Sequence, residues 1–266
     1  MEAVKTTPAP RRAPRPRPEA GARYIYGVVR ASERPLQLGP IGISGGEVHT
    51  IDSAGLSAVV SQLTIQGPIL ALRKNLAPHH QVLMEVMKGQ TILPLRFGHL
   101  ATSPRAVAQF LDQHAERFVE LLALVEGCCE MSLRVSLNAV SPFEWIVSRH
   151  ADLAQLRDEC FGGGNQPGHN EKLRMGRLFE ACLVREREAH EQRVLEPLER
   201  LSRRILRRPV GKETLLLDAA ILVRETARPS LEQGIEKLVG AFGDDLLFSL
   251  AGPTPPFSFT NVTEER

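Results

Sequence analysis

The chain is poor in aromatic residues and carries little net charge. Of its 266 residues, 5% are aromatic, and the formal net charge is +2. Single-stranded nucleic acids bind on exposed aromatic side chains, and strong attraction to nucleic acid or acidic lipid needs a large excess of basic residues. The composition therefore predicts no specific nucleic-acid partner and no membrane partner.

Cysteines and long apolar runs are also scarce. Cys128, Cys129, Cys160 and Cys182 show no C-x-x-C spacing, and adjacent cysteines are poorly placed to chelate one metal, so we expect reduced thiols. No apolar run approaches the roughly 20 residues that cross a bilayer. The Arg- and Pro-rich start is not followed by an apolar segment, so it is not a secretory signal. These features predict a cytoplasmic protein.

The sequence contains no coherent catalytic or metal motif. Adjacent His79 and His80 would point about 100° apart on a helix, and no H-E-x-x-H follows them. The triple glycine 162–164 lacks the lysine and the preceding strand of a P-loop. Ser57, Ser61 and Ser141 lack a G-x-S-x-G setting, and Cys160 lacks a recognisable base partner. We therefore expect a non-enzyme with no cofactor and no metal.

Residues 1–20 differ from the remainder in composition. Five prolines alternate with four arginines between positions 8 and 18. Such a segment buries too little apolar surface to fold. It is predicted to be a disordered basic tail, either a solvated terminus or a contact for an acidic surface.

Residues 21–140 show alternating strand and helix patterns that predict an N-terminal ferredoxin-like α+β domain of order β-ββ-α-β-α-β. Its strands and helices are predicted from apolar periodicity, glycine stops and the Ser103–Pro104 helix start. They are the strands Arg23–Val29, Glu47–Ile51, Leu56–Ser61, Thr91–Phe97 and Glu130–Asn138, and the helices Pro78–Lys88 and Ser103–Glu126.

Residues 141–251 are predicted to form a second, helical and α+β domain, so that the chain has two lobes and long connecting helices. A kink or split is expected at Pro197, and Gly243 should end the last helix. The predicted elements are helices Ser141–Arg157, Asn170–Arg208 and Pro229–Phe242, and strands Thr214–Val223 and Leu246–Leu250.

Four arginines, Arg203, Arg204, Arg207 and Arg208, fall at the predicted end of the long helix. Cations at a helix C-terminus interact favourably with the helix dipole, which is one interpretation. The other is a face that binds an acidic protein partner or RNA. Interleaved acidic residues before Arg200 favour a protein over RNA.

Two proline-containing segments are unusual for ordinary core. In Leu93–Gly98, Pro94 cannot donate a ladder hydrogen bond, so the strand must lie at a sheet edge or begin there. Arg96 then either pairs with a carboxylate or backbone carbonyl, or contacts a partner together with Phe97. The segment 252–266 is predicted to be a docked C-terminal tail, because three prolines hold it extended while Phe257 and Phe259 favour burial. The candidate partner-binding residues are Arg96, Phe97, Phe257 and Phe259.

Four motifs in order resemble the gas vesicle protein GvpF/GvpL family over residues 22 to 262. The family commonly has a small hydroxyl residue where this chain has His99, and an aromatic where it has Thr254. The resemblance implies a gas vesicle accessory or minor structural protein that binds the small hydrophobic shell protein and other accessory proteins, and supports vesicle nucleation or assembly. An RNA-binding or small-ligand-binding ferredoxin-like protein is the alternative. The motifs are Tyr24-Ile25-Tyr26-Gly27, His80-Gln81-Val82-Leu83-Met84-Glu85, Thr91 to Gly98, and the Gly-Pro-x-Pro-Pro-Phe-Ser-Phe of residues 252–259.

Overall fold

The computed structural model describes residues 21–63, 69–162 and 167–260. Each of two compact units, residues 1–119 and 120–266, contains one sheet with helices, which confirms the predicted α+β class. The predicted basic tail, residues 1–20, lies outside the described residues. Among the described helices, none is long and apolar enough to span a bilayer.

The first unit is built on an antiparallel sheet of order β2-β3-β4-β1-β5, with β6 also paired to β1. The division between the units falls inside α3. The elements are β1 (Arg23–Arg30), β2 (Gln37–Gly39), β3 (Val48–Ser53), β4 (Leu56–Gln62), α1 (Arg73–Met87), β5 (Leu93–Pro94), β6 (Leu100–Ala101), α2 (Pro104–Gln113) and α3 (Ala115–Val125).

The predicted strands of the first unit form for local reasons. β1 is an inner strand, between β4 and β5, and is buried on both faces from Tyr24 to Val29. β3 and β4 form a hairpin whose turn residues, Ala54 and Gly55, have φ of 50° and 73°, the conformation of a two-residue primed turn. β5 lies at the end of the sheet order, as Pro94 predicts, but only Leu93–Pro94 of the predicted strand Thr91–Phe97 is a strand.

The second unit has a four-stranded antiparallel sheet of order β10-β7-β9-β8. Gly243, with φ of 65°, ends α7 as predicted. The elements are β7 (Cys128–Leu137), α4 (Pro142–Val147), α5 (Ala151–Phe161), α6 (His169–Glu199), β8 (Arg204–Arg207), β9 (Leu215–Arg224), α7 (Arg228–Phe242) and β10 (Leu246–Thr254).

Three helix predictions need correction. The predicted helix 103–126 is interrupted at His114, which leaves helical geometry while its Nδ1 lies 2.9 Å from the Phe110 carbonyl. The predicted helix 141–157 is likewise two helices, α4 and α5. α1 begins at Arg73, so Pro78 lies inside it.

The largest correction concerns the arginine-rich segment. α6 ends at Glu199, two residues after Pro197, and does not extend to Arg208. Residues 204–207 instead form the edge strand β8, paired with β9. The helix-dipole interpretation of these arginines is therefore wrong.

The predicted domain boundary after residue 140 also differs from the observed division. Strand β7, expected in the first domain, pairs with β9 and β10 of the second sheet. The division at Val119 and Glu120 follows from this long-range pairing, which local patterns do not reveal.

Candidate partner-binding site

The first unit contains a cluster of four rings, the buried Tyr24, Tyr26 and His79 and the half-buried Phe97, which we call the ring cluster. Tyr24 and Tyr26 are two residues apart on β1 and therefore share a face, with ring centroids 4.8 Å apart. The His79 ring, from α1, lies 5.6 Å from Tyr24 and 5.7 Å from Tyr26, while Phe97 lies 5.7 Å from His79. Two of the four motifs thus meet in one place, together with His79, which directly precedes the second motif.

Hydrogen bonds fix the two tyrosines of the ring cluster. The Tyr24 hydroxyl lies 3.0 Å from His79 Nδ1 and accepts the Gly98 N–H at 2.9 Å. The Tyr26 hydroxyl lies 2.7 Å from Ser61 Oγ and accepts the Ile43 N–H at 2.8 Å. Both hydroxyls are held inside the fold, so the tyrosines are structural.

Burial also determines the protonation of His79. It lowers the pKa of His79 to about 4, helped by the neighbouring His80 and opposed by a backbone interaction with Leu95. Burial likewise raises the pKa of Tyr26. At neutral pH both side chains are uncharged, as an apolar cluster requires.

The structure separates the two predicted contact residues of the first proline-containing segment. Pro94 pairs with Gly27 of β1, and the Leu95 N–H donates to the Tyr26 carbonyl at 2.9 Å. Phe97 is half-buried in the ring cluster, whereas Arg96 is exposed. Arg96 is therefore the more accessible of the pair.

Gly27 shows why a side chain is excluded from this part of β1. A Cβ there would lie 2.6 Å from the Leu93 carbonyl oxygen and 2.8 Å from a methyl carbon of Ile92. The glycine thus permits the close approach of the proline-containing strand.

In the second unit, the C-terminal tail is held by three residues that we call the tail anchor: Glu130, Arg208 and Ser258. Ser258 donates its backbone N–H and its hydroxyl to the two carboxylate oxygens of Glu130, both at 2.7 Å. Arg208 Nη2 donates to Glu130 at 2.6 Å and to Ser258 Oγ at 2.9 Å. Glu130 is only 4% exposed, and these charge-assisted bonds compensate its burial.

Arg208 is itself held by the sheet. Its Nη1 donates to Ser132 Oγ at 2.8 Å and to Asp218 Oδ1 at 3.2 Å. Asp218 also accepts from Arg134 Nε at 3.0 Å. The anchor thus joins the tail to strands β7 and β9.

The segment before the tail anchor contains Gly252, a residue of β10 with a positive φ. Its φ is 129°, a conformation that L side chains rarely adopt, and a Cβ would lie 2.8 Å from the Glu130 carbonyl oxygen. That same carbonyl accepts the hydroxyl of Thr254 at 3.2 Å. Thr254 therefore adds a bond to β7.

The two tail phenylalanines differ in exposure. Phe259 is 5% exposed and Phe257 is half-buried. Thr260 is also buried and donates to the Pro256 carbonyl at 3.0 Å. Residues 261–266 lie outside the described residues. In this conformation Phe257 is the tail ring that a partner can reach.

One group in the second unit has the composition of a metal site. Ligand atoms of His150, Asp152 and Cys182 lie within 4.8 Å of one another. Arg185 Nη2, however, donates to Asp152 at 3.3 Å and to Cys182 Sγ at 3.1 Å, and His150 pairs with Glu186 at 2.9 Å. These contacts satisfy the group without an ion.

Sequence comparison identifies the family. The family model described as "Gas vesicle synthesis protein GvpL/GvpF" matches residues 22–261. The chain belongs to the GvpL/GvpF family. That match covers both units and all four motifs.

Individual relatives align with this family member along nearly their whole length. Gas vesicle protein F of a Streptomyces species is 26% identical over 240 residues, covering 89% of this chain and 98% of the relative. Gas vesicle protein F of a Nostoc species is 26% identical over 243 residues, covering 90% and 98%.

Two solved structures have the same fold as this GvpL/GvpF member. The crystal structure of GvpF from an Anabaena species superposes with a TM-score of 0.81 at 24% identity, covering 92% of this chain and all of that one. GvpF from Microcystis aeruginosa gives 0.76 at 25% identity, covering 91% and 99%.

Sequence reasoning missed the residues that position the family motifs. His79, and not His80 of the quoted motif, enters the ring cluster, while His80 is exposed. Glu130 and Arg208 were not recognised as partners of the tail. An acidic residue in the apolar alternation of β7 was the available signal for Glu130.

Proposed function

We propose that this GvpL/GvpF member binds the small hydrophobic shell protein of the gas vesicle and supports nucleation or assembly of the vesicle wall. The family match over residues 22–261 is the observation that carries the proposal. Relatives named gas vesicle protein F and gas vesicle protein L support it. Other gas vesicle accessory proteins are proposed as further partners.

The physical task suits a binding protein. A shell subunit with a strongly apolar face aggregates unless a partner covers that face before assembly. Sheet edges and apolar side chains provide such cover by strand pairing or groove contact. This chain exposes Leu70, Leu72 and Leu76 around the start of α1 to 58%, 48% and 39%. These leucines join Arg96 and Phe257 as candidate contacts.

The remaining features of the proposal concern class and location. We propose a non-enzyme that acts in the cytoplasm and at the gas vesicle and needs no cofactor.

We also propose the ferredoxin-like description of the first lobe. In chain order its strands β1, β3, β4 and β5 lie in the sheet order 4-1-3-2, with a segment containing β2 in place of the first helix. The four strands of the second sheet follow the same order.

Co-expression with the shell protein, followed by affinity purification, tests the proposal. We expect the pair to co-purify, and deletion of the gene to abolish or deform vesicles. Normal vesicles after a clean deletion in a strain with no paralogue would contradict the assembly role. Failure of the two proteins to co-purify would contradict direct binding.

A further inference from the structure

Strand β8 ends the second sheet, and its outer edge is open within the described residues. The Arg208 N–H donates to the Asp218 carbonyl at 2.8 Å, and the β8–β9 register is unbroken from Arg204 to Arg207. Backbone groups of an antiparallel strand point alternately to its two sides. Arg204 and Leu206 therefore bond to β9, while the N–H and C=O of Ile205 and Arg207 point away from it.

The same edge is strongly basic. Residues 200–208 contain five arginines and no acidic residue. Arg203, Arg204 and Arg207 are exposed. Arg207 pairs with Glu191 at 2.6 Å, and Arg203 donates to the Ala123 carbonyl at 3.1 Å, so both side chains are held close to the strand.

We propose that the outer edge of β8 is a docking edge for an acidic, extended segment of a partner protein, which pairs with β8 as a fifth strand of the sheet. Main-chain bonds to Ile205 and Arg207 give the register. Acidic side chains on the incoming strand pair with Arg204 on one face and with Arg207 on the other. The proposal does not depend on which protein carries the segment.

Charge excludes a second copy of this chain at the same edge. Antiparallel pairing of two β8 strands through Arg207 would set the two Arg207 side chains opposite each other, and pairing of Ile205 with Arg207 would set Arg204 beside Arg208. Like charges directly opposite are destabilising. Basic side chains on an edge strand are a common protection against self-association. An acidic partner converts this repulsion into attraction.

The primary test uses the full chain and a synthetic peptide of about seven residues in which Glu alternates with Val and Thr, a pattern suited to a strand. We expect saturable binding in calorimetry or anisotropy, and slowed hydrogen exchange at the amides of Ile205 and Arg207. The same peptide with N-methylated backbone amides keeps its charge but cannot pair, so it should not bind.

Two variants separate strand pairing from simple charge attraction. Ile205→Pro keeps every charge and the bonds to β9 but removes an outward N–H, so affinity should fall by roughly tenfold or more. Ile205→Val, which retains the N–H, is its control. Reversal of Arg204 and Arg207 to Glu should also abolish binding, whereas reversal of the exposed Arg174 and Arg177 of α6 should not. Thermal unfolding confirms that each variant is folded.

The outcomes are decisive in both directions. Equal binding of the N-methylated peptide, or equal binding by Ile205→Pro, would overturn the docking edge. Binding of an RNA oligonucleotide that depends on the arginines and not on residue 205 would replace it with a nucleic-acid site. If the full chain fails to bind the acidic peptide but still co-purifies with the shell protein, the docking edge is disproved and the proposed function stands. The two proposals can therefore fail separately.

Discussion

Ser258 and Glu130, 128 positions apart in the chain, are joined by two hydrogen bonds of 2.7 Å each. One bond comes from the backbone N–H of Ser258 and the other from its hydroxyl. Because Glu130 is buried, its carboxylate depends on these donors and on Arg208. The pair therefore couples the C-terminal tail to the stability of the second unit.

Replacement of Glu130 by Gln tests this coupling. The change keeps the shape of the side chain but removes the charge that Arg208 and Ser258 bond to, so the free energy of unfolding should fall by about 1–3 kcal/mol. Chemical denaturation measures it. Glu126→Gln, at an exposed position, is the matched control and should change stability little. An equal effect of the two variants would mean that the tail anchor contributes nothing specific.

Removal of the tail from Pro255 onward tests whether it belongs to the fold. Burial of Phe259 contributes roughly 1.5–3 kcal/mol, so the melting temperature should fall in differential scanning calorimetry. Removal of residues 1–20 should leave the melting temperature unchanged. If tail removal preserves stability but eliminates shell-protein binding, the tail is a free docking peptide.

The ring cluster predicts acid sensitivity. The pKa of His79 is about 4 in the folded protein against 6.5 for an ordinary histidine, so between these values the unfolded chain binds more protons. The stability that comes from keeping His79 uncharged is therefore fully present above pH 6.5. As the pH falls towards 4, the free energy of unfolding decreases by about 3 kcal/mol in total.

Denaturation curves from pH 7 to pH 4 for His79→Gln measure that contribution. The variant should lose stability at pH 7 but show a shallower decline on acidification than the parent. The exposed His169→Gln variant, whose side chain is not among the groups that shift the pKa of His79, is the control and should follow the parent closely. Parallel pH profiles for all three proteins would disprove the assignment to His79.

Purified protein should contain no stoichiometric metal. Arg185 already bonds to both Asp152 and Cys182, and a cation would have to displace its guanidinium. Elemental analysis after dialysis measures this. One equivalent of zinc or iron, lost on replacing Cys182 with Ser, would show that His150, Asp152 and Cys182 bind an ion instead.

Local chemistry was sufficient to predict much of the fold. Pro94 placed its strand at a sheet edge, and Ser103 with Pro104 marked the start of α2, where the Ser103 hydroxyl accepts the Ala106 N–H at 3.1 Å. Gly243 marked the end of α7. In each case the determining interactions lie within a few residues.

Long-range pairing explains what the sequence did not predict. Leu198, Leu201 and Ile205 continue a helical apolar spacing, yet β8 forms because β9 offers it a ladder of backbone bonds. The role of Glu130 was equally hidden, since its partner Ser258 lies near the other end of the chain. Periodicity carries no information about such partners.

The position of β7 has a consequence for the order in which the chain folds during synthesis. Every strand pair of the first sheet lies within residues 23–101, so that sheet can close early on the ribosome. β7 follows almost at once, but its neighbour β10 begins only at Leu246. While residues 138–245 are being made, the backbone edge of β7 that pairs with β10 has no partner strand. Nascent-chain chaperones therefore have a defined interval in which to engage this strand.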